Sequence, residues 1–552
     1  SETAIVTLTD SLGGSDASAL AAAVRTAGKP DSNGKLSLIN EVVDLSIDST
    51  GLKGTVKAAS ANVSVSDVLA NRFDGLTPEQ QNEAVNNVRK TIAQVQKYKS
   101  FARHLGGSND SVVVENDLMK VTFDTRGGIV SQVELKKYKT EVGAEPANIR
   151  LFNGENDGYG FTLTTSDQRF NTREFNFKPT VENDSTVLMT LDLGTGAQWG
   201  LRYTVHHSKY LVKMDIVQKG MGSILPESTS TIDFNWHNQM ARNEKGRTFE
   251  ERNSAIHYKF VGEGPDELSA IGDDSEQLTG RIKWFAFKNQ FFSSVLIADD
   301  YLSSANLNST EIKDSRFLKD MTAHATAPYT IGDGTPAGFF FYFGPNDYPL
   351  LSSIDDEIGG DEGLSLTRLL SLGWGIFRWI NQFIVIPVFS FLGRFISDYG
   401  IIILLLTIFI KIIIFPFTYK SFKSQARMRV LAPEIKEIND KYPGQENAMK
   451  RQQETMALYS RAGASPFSGC LPLILQMPVL VAMFSFFPSA IELRGQSFLW
   501  VHDLSAPDYI LALPFSIPFY GDHVSLFCLL MTIVNIVYTR INMQNQPGGN
   551  SM

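Results

Sequence analysis

Gly400-IIILLLTIFI-Lys411-IIIFPFTYK, residues 400 to 420, is an apolar run with one cation near its middle. It has the ~20 residues a helix needs to cross a hydrocarbon core. A lysine at that depth costs about 2.5–3.5 kcal/mol on insertion scales. Snorkelling relieves part of this, but the polar end at Tyr419 and Lys420 is several residues away. A wet cavity facing Lys411 would remove the penalty, and Thr407, one turn earlier on the same helix face, would help to polarise it. The competing reading pairs Lys411 with a carboxylate on a neighbouring helix, yet no Asp or Glu lies inside any expected span.

Outward from this run the chain changes character. It has 552 residues and a formal net charge of −9, with the long apolar stretches confined to the part beyond residue 370. The segment 419–463 opposes the trend, with nine basic against five acidic side chains; it carries +4 and leaves −13 for the remainder. A basic loop between spans is expected in the cytoplasm. An acidic chain whose basic patch abuts a membrane excludes nucleic-acid recognition as the main role. The two cysteines, Cys470 and Cys528, fall in expected spans, where they read as small packing residues; no Cys/His spacing suggests a metal site. No cofactor motif is present, and there is no Gly-x-x-x-x-Gly-Lys-Ser/Thr phosphate loop. The opening Ser-Glu-Thr-Ala-Ile-Val is neither a signal peptide nor an anchor, so an export signal is expected upstream.

Residues 1–363 read as a β-sandwich domain on the far side of the membrane. Alternation is clear in Ser111-VVVENDLMKVTFDT, Ser185-TVLMTLDL and Trp199-GLRYTVHHSKYLVKMDIV. One helix is expected from Thr77, with Pro78 in its first turn. Asn40-EVVDLSIDSTG echoes Asn116-DLMKVTFDTRG, either as two similar strand-and-turn units or as a duplicated edge of one sandwich; residues 1–110 otherwise have no assigned role. Residues 364–398, with Trp374, Trp379, Arg378 and Arg394, read as an in-plane amphipathic helix rather than a span.

Residues 399–541 read as the helical membrane domain. After the Lys411 span, a helical hairpin is expected, its first helix from about Ser421 to Asp440 and its second from about Gln445 to Arg461. Tyr442-Pro443-Gly444 breaks it, and Pro433 kinks or restarts its first arm. Met428, Leu431, Ile435 and Ile438 give one apolar stripe; Met449, Met456 and Tyr459 give another, for mutual packing or for a partner. A second span, about 466–490, carries Gln476, and a third, about 524–539, carries Asn535. Residues 511–520, broken by Pro514 and Pro518, are too short to cross, and 542–552 form a polar tail.

These segments resemble the YidC-type membrane protein insertases, in the Gram-negative form with a large periplasmic domain. The resemblance rests on the Lys411 span, on Lys423-SQARMRVLAPEIKEI and Gln453-ETMALYSRAGASP of the hairpin, and on Gly469-CLPLILQMPVLVAMF. It extends to Glu492-LRGQSFLWVHDLS, and to Asn116-DLMKVTFDTRGGIVSQVELKKY, Trp284-FAFKNQFF and Phe341-YFGPNDYPLL of the sandwich. It implies a multi-pass inner-membrane insertase and chaperone, not an enzyme. Polar segments of nascent membrane proteins would pass through a hydrophilic groove beside the lipid bilayer, with the Sec translocase and the ribosome as partners. Lys411 would attract those segments. Thr407, Gln476 and Asn535 would line the path, or else join helices by hydrogen bonds. Lys423, Arg427, Met428, Arg429 and Met456 would mark the docking hairpin. The chain departs from the family in three ways: Lys411 stands where the family usually has arginine, the anchor helix is absent, and the last two spans are expected beyond residue 552. A channel or transporter, and a sugar-binding ectodomain using His206, His207 or His237, are the alternatives; no carboxylate partner for these histidines is visible in the sequence.

Overall fold

The computed structural model describes residues 12–143, 145–152, 157–313, 316–464, 471–517 and 521–544. The chain divides into two compact units, Ser1–Pro345 with Ile354–Ser365, and Asn346–Ser353 with Leu366–Met552.

The first unit opens with a small module built on its own core. Helices α1 (Gly14–Ala27) and α2 (Pro78–Tyr98) pack on a five-stranded antiparallel meander, burying Leu20, Val24, Leu45, Val56 and Val88. Thr77 caps α2 reciprocally: its hydroxyl accepts from Gln80 N at 3.3 Å, and the Gln80 side chain accepts from Thr77 N at 3.0 Å. The helix stops at Tyr98, short of the apolar pattern's end, because Lys99 takes a positive φ of 51°.

Asn40 and Asn116 make the same turn. Asn40 Oδ1 accepts from Val42 N and Val43 N at 2.9 and 2.8 Å, and Asn116 Oδ1 accepts from Leu118 N and Met119 N at 2.9 and 2.8 Å. Each turn feeds a strand, Val43–Asp48 or Met119–Asp124, that pairs antiparallel with the next. The two segments lie in different sheets and share the same strand-and-turn device.

The rest of the unit is a large antiparallel sheet of 13 strands with a separate four-stranded sheet, Ser111–Glu115 to Asn148–Arg150. Strand Thr231–Ala241 shows the governing alternation, with Ile232, Phe234, Trp236, Asn238 and Met240 turned inward. A buried hydroxyl relay joins the two sheets. Tyr159 Oη accepts from Val130 N at 2.9 Å and donates to Tyr203 Oη at 2.8 Å, which donates to Gly128 O at 2.8 Å.

The second unit is helical: α3 (Ile376–Gly393), α4 (Tyr399–Val430), α5 (Ala432–Lys441), α6 (Ala448–Arg461), α7 (Leu471–Phe486) and α8 (Leu526–Gln544). By length and apolarity, α3 and α4 qualify as candidate spans. One face of α3 is buried and the other exposes Trp379, Phe383 and Phe391. Asn381 ties α3 down, its Nδ2 donating to Leu372 O at 2.9 Å and to Ala482 O of α7 at 2.7 Å.

Asp398 caps α4 by accepting from Gly400 N and Ile401 N at 2.9 and 3.2 Å. Ile402, Leu406, Ile410 and Ile414 form its buried ridge, while Leu404, Ile408, Ile412 and Phe415 stay exposed. An all-round apolar surface of this kind suits lipid. α4 does not end with the apolar run. It continues to Val430, so the hairpin's first arm begins as its extension, and the restart falls at Ala432–Pro433, where proline has no N–H to continue the ladder. Residues 511–520, expected as a broken stretch, fall instead in a hairpin of Tyr509–Ile517 and Gly521–Ser525, which also takes in the expected start of the third span at Val524.

Candidate functional site

Lys411 lies twelve residues into α4, about 18 Å along its axis at 1.5 Å per residue. A ~30 Å hydrocarbon core that began at Tyr399 would have Lys411 near its middle. Its Nζ donates to Gln476 Oε1 of α7 at 3.0 Å. Among the described residues it has no ion pair with a carboxylate. The cation therefore meets a neutral amide, on an exposed side of α4.

The other expected residues separate. Thr407 shares the helix face, but its hydroxyl donates to Ile403 O one turn back at 2.8 Å. It is bonded within its own helix rather than across to α7. Asn535 lies on α8, which is exposed on all sides from Phe527 to Ile541, and it shares a shallow surface hollow only with Thr532, Ile536, Thr539 and Arg540 of that helix. The structure thus brings Lys411 and Gln476 together and leaves Asn535 apart. Cys528 is exposed on α8 rather than packed, and Cys470 lies outside the described residues.

On the hairpin α5 packs on α6, and Leu431, Ile435 and Ile438 are half-buried, whereas Met449 and Met456 are exposed. Arg427 clamps the hairpin's far end, its Nη1 donating to Gly463 O at 2.9 Å. Lys423 and Arg429 are exposed, and Met428 is half-buried.

In the first unit, His237 does have a carboxylate partner, Asp320 on the neighbouring strand, which a separation of 83 positions hid from sequence reading. His206 is half-buried, and burial lowers its pKa. Among the described residues no three His, Cys, Asp or Glu side chains group as metal ligands would.

Two family models match the chain: "YidC periplasmic domain" over residues 111–387 and "60Kd inner membrane protein" over residues 391–552. The chain is similar to a membrane protein insertase YidC of Parabacteroides distasonis, 44% identical over 470 residues, covering 83% of this chain and 74% of that protein. It is similar to another of Porphyromonas gingivalis, 38% identical over 502 residues, covering 89% and 80%. Among solved structures, an active YidC insertase with its first transmembrane segment resolved is 18% identical, with a TM-score of 0.27, covering 73% of this chain and 77% of that one.

Proposed function

This chain belongs to the YidC family of membrane protein insertases, and on that premise we propose that it passes polar client segments along a wet path beside Lys411. It is a membrane protein insertase, an inner-membrane protein with a periplasmic domain. Nascent membrane proteins are its substrates.

One observation carries the reading: the Lys411 ammonium, at mid-depth on α4, is met by the Gln476 amide at 3.0 Å. An ammonium has three N–H donors, and one amide oxygen accepts one of them. The remaining donors call for water or for an acceptor on the client. Water held at that depth shortens the apolar distance that a polar segment must cross. The barrier then falls without nucleotide hydrolysis, which agrees with the lack of a phosphate loop. Thr407 borders this path, while Asn535 stands apart from it on α8.

The rest of the reading follows from the charge pattern. The basic hairpin lies in the cytoplasm, and its Lys423, Arg427, Arg429, Met428 and Met456 receive clients from the ribosome or the Sec translocase. The chain crosses the membrane several times and the activity is not enzymatic; α3 is long and apolar enough to span, but Arg378 and Trp379 within it support an in-plane position. The channel and sugar-binding alternatives are not favoured, since the curated relatives are insertases.

The test is insertion of a set of clients by the full chain in cells depleted of their own insertase. Lys411→Arg should insert all of them, and Lys411→Glu should lose at least some. Normal insertion of every client by Lys411→Glu would refute the reading.

A further inference from the structure

Lysine is a poorer carboxylate binder than arginine for a geometric reason. A guanidinium presents two parallel N–H groups in one plane and grips both carboxylate oxygens, whereas an ammonium is a point charge. Lys411 does not stand alone, because Gln476 lies 3.0 Å from it. An ammonium can only donate, so the amide must turn its oxygen toward Lys411. That orientation places the two Nε2 hydrogens beside the ammonium. No acceptor for that nitrogen is found among the described residues. Gln476 is half-buried on α7 and Lys411 is exposed on α4, so the pair is not closed off by the described residues.

We propose that Gln476 is a specificity-determining partner of Lys411 and that the two together form a fork for one carboxylate. A client's acidic side chain would take an ammonium N–H on one oxygen and an amide N–H on the other. The pair rebuilds, from two helices, the two-point grip that one arginine would carry by itself. The inference rests on the reading of Lys411 as the client contact, and what it adds is Gln476 as the second donor to the same carboxylate.

The experiment uses two forms of one client, with Asp or with Asn at a single position of its translocated tail. The readout is the ratio of their insertion rates, taken within each variant of the full chain so that differences in abundance cancel. The wild-type chain should favour the Asp client. Gln476→Met should cut that preference about tenfold, the effect of losing one hydrogen bond worth about 1.4 kcal/mol. In a Lys411→Arg background the same Gln476→Met change should cost little, because the guanidinium supplies both donors. Gln476→Glu should reverse the preference by placing a carboxylate in the client's position. Equal loss from Gln476→Met in the lysine and arginine backgrounds would mean that Gln476 only packs α7, and would overturn the proposal. So would an unchanged preference in Gln476→Met. Lys411→Met separates the two levels: loss of preference there with none in Gln476→Met refutes the fork alone, while a preference that survives Lys411→Met refutes the contact itself.

Discussion

Gly400 of α4 and Phe498 of the loop after α7 compete for the same space: a Cβ on Gly400 would fall within the Phe498 ring and against its Cβ. The atoms it meets include the root of that side chain, so rotating the ring cannot clear the clash. The glycine is therefore required by close approach and not by its backbone angles, and it seats the loop on the first turn of α4. Gly400→Ala should destabilise the helical unit by about 1–3 kcal/mol, the cost of overpacking. The check is thermal unfolding in detergent beside Phe498→Ala and the double variant. The double variant should recover most of the loss due to Gly400→Ala; strict additivity would contradict the account.

His104 joins the N-terminal module to the sandwich. Its Nε2 lies 2.8 Å from Asp192 O and its Nδ1 lies 3.2 Å from Asn176 O. Protonation would satisfy both carbonyls, but burial, with Lys29 and Arg103 nearby, outweighs this and holds the ring at about 4, against an ordinary 6.5. The unfolded chain therefore binds the proton first. Stability is fully present above about 6.5 and falls as pH drops toward about 4, by on the order of 3 kcal/mol. Denaturant unfolding of the sandwich unit between pH 7 and 4 should show this slope, and His104→Gln should flatten it.

Lys288 gives the opposite end of the pH scale. It is buried, and its Nζ donates to Asn253 O at 2.8 Å, closing the short helix Arg247–Arg252. Burial lowers its pKa from 10.5 to about 8. Between those values the unfolded chain is protonated and the folded chain is not, so stability rises as pH climbs from about 8 to 10.5. Lys288→Met should abolish that rise in an alkaline unfolding series. A rise of equal size in the variant would assign it to other groups.

The membrane helices were legible where composition decides. Gly400 to Phe417 reads as a span because lipid rewards apolar residues on every face, and α4 is apolar on every face. Its continuation to Val430 was hidden, because the change from apolar to basic at Lys420 looks like an end but does not interrupt helix propensity. The hairpin 509–525 was hidden for the converse reason: Pro514 and Pro518 read as breakers, and pairing between strands leaves little local trace. At the site, Lys411 stood out by its charge, whereas its partner did not. Gln476 lies 65 positions away, and a polar residue in an expected span carries no mark of which cation it will meet. Asn535 had the same sequence signature and lies apart from both. The Asn40 and Asn116 turns were visible as a repeat, since each turn is closed by side-chain bonds within three residues.

A photoreactive side chain placed singly at positions 411, 476 and 412, with a client arrested part-way through insertion, tests the central claim most directly. Lys411 and Gln476 share the polar contact, whereas Ile412, 65% exposed, is an apolar position on the same turn of α4. Client adducts should form at 411 and 476 and be scarce at 412. Adducts as strong at 412 as at 411, or none at 411, would contradict a client path beside Lys411.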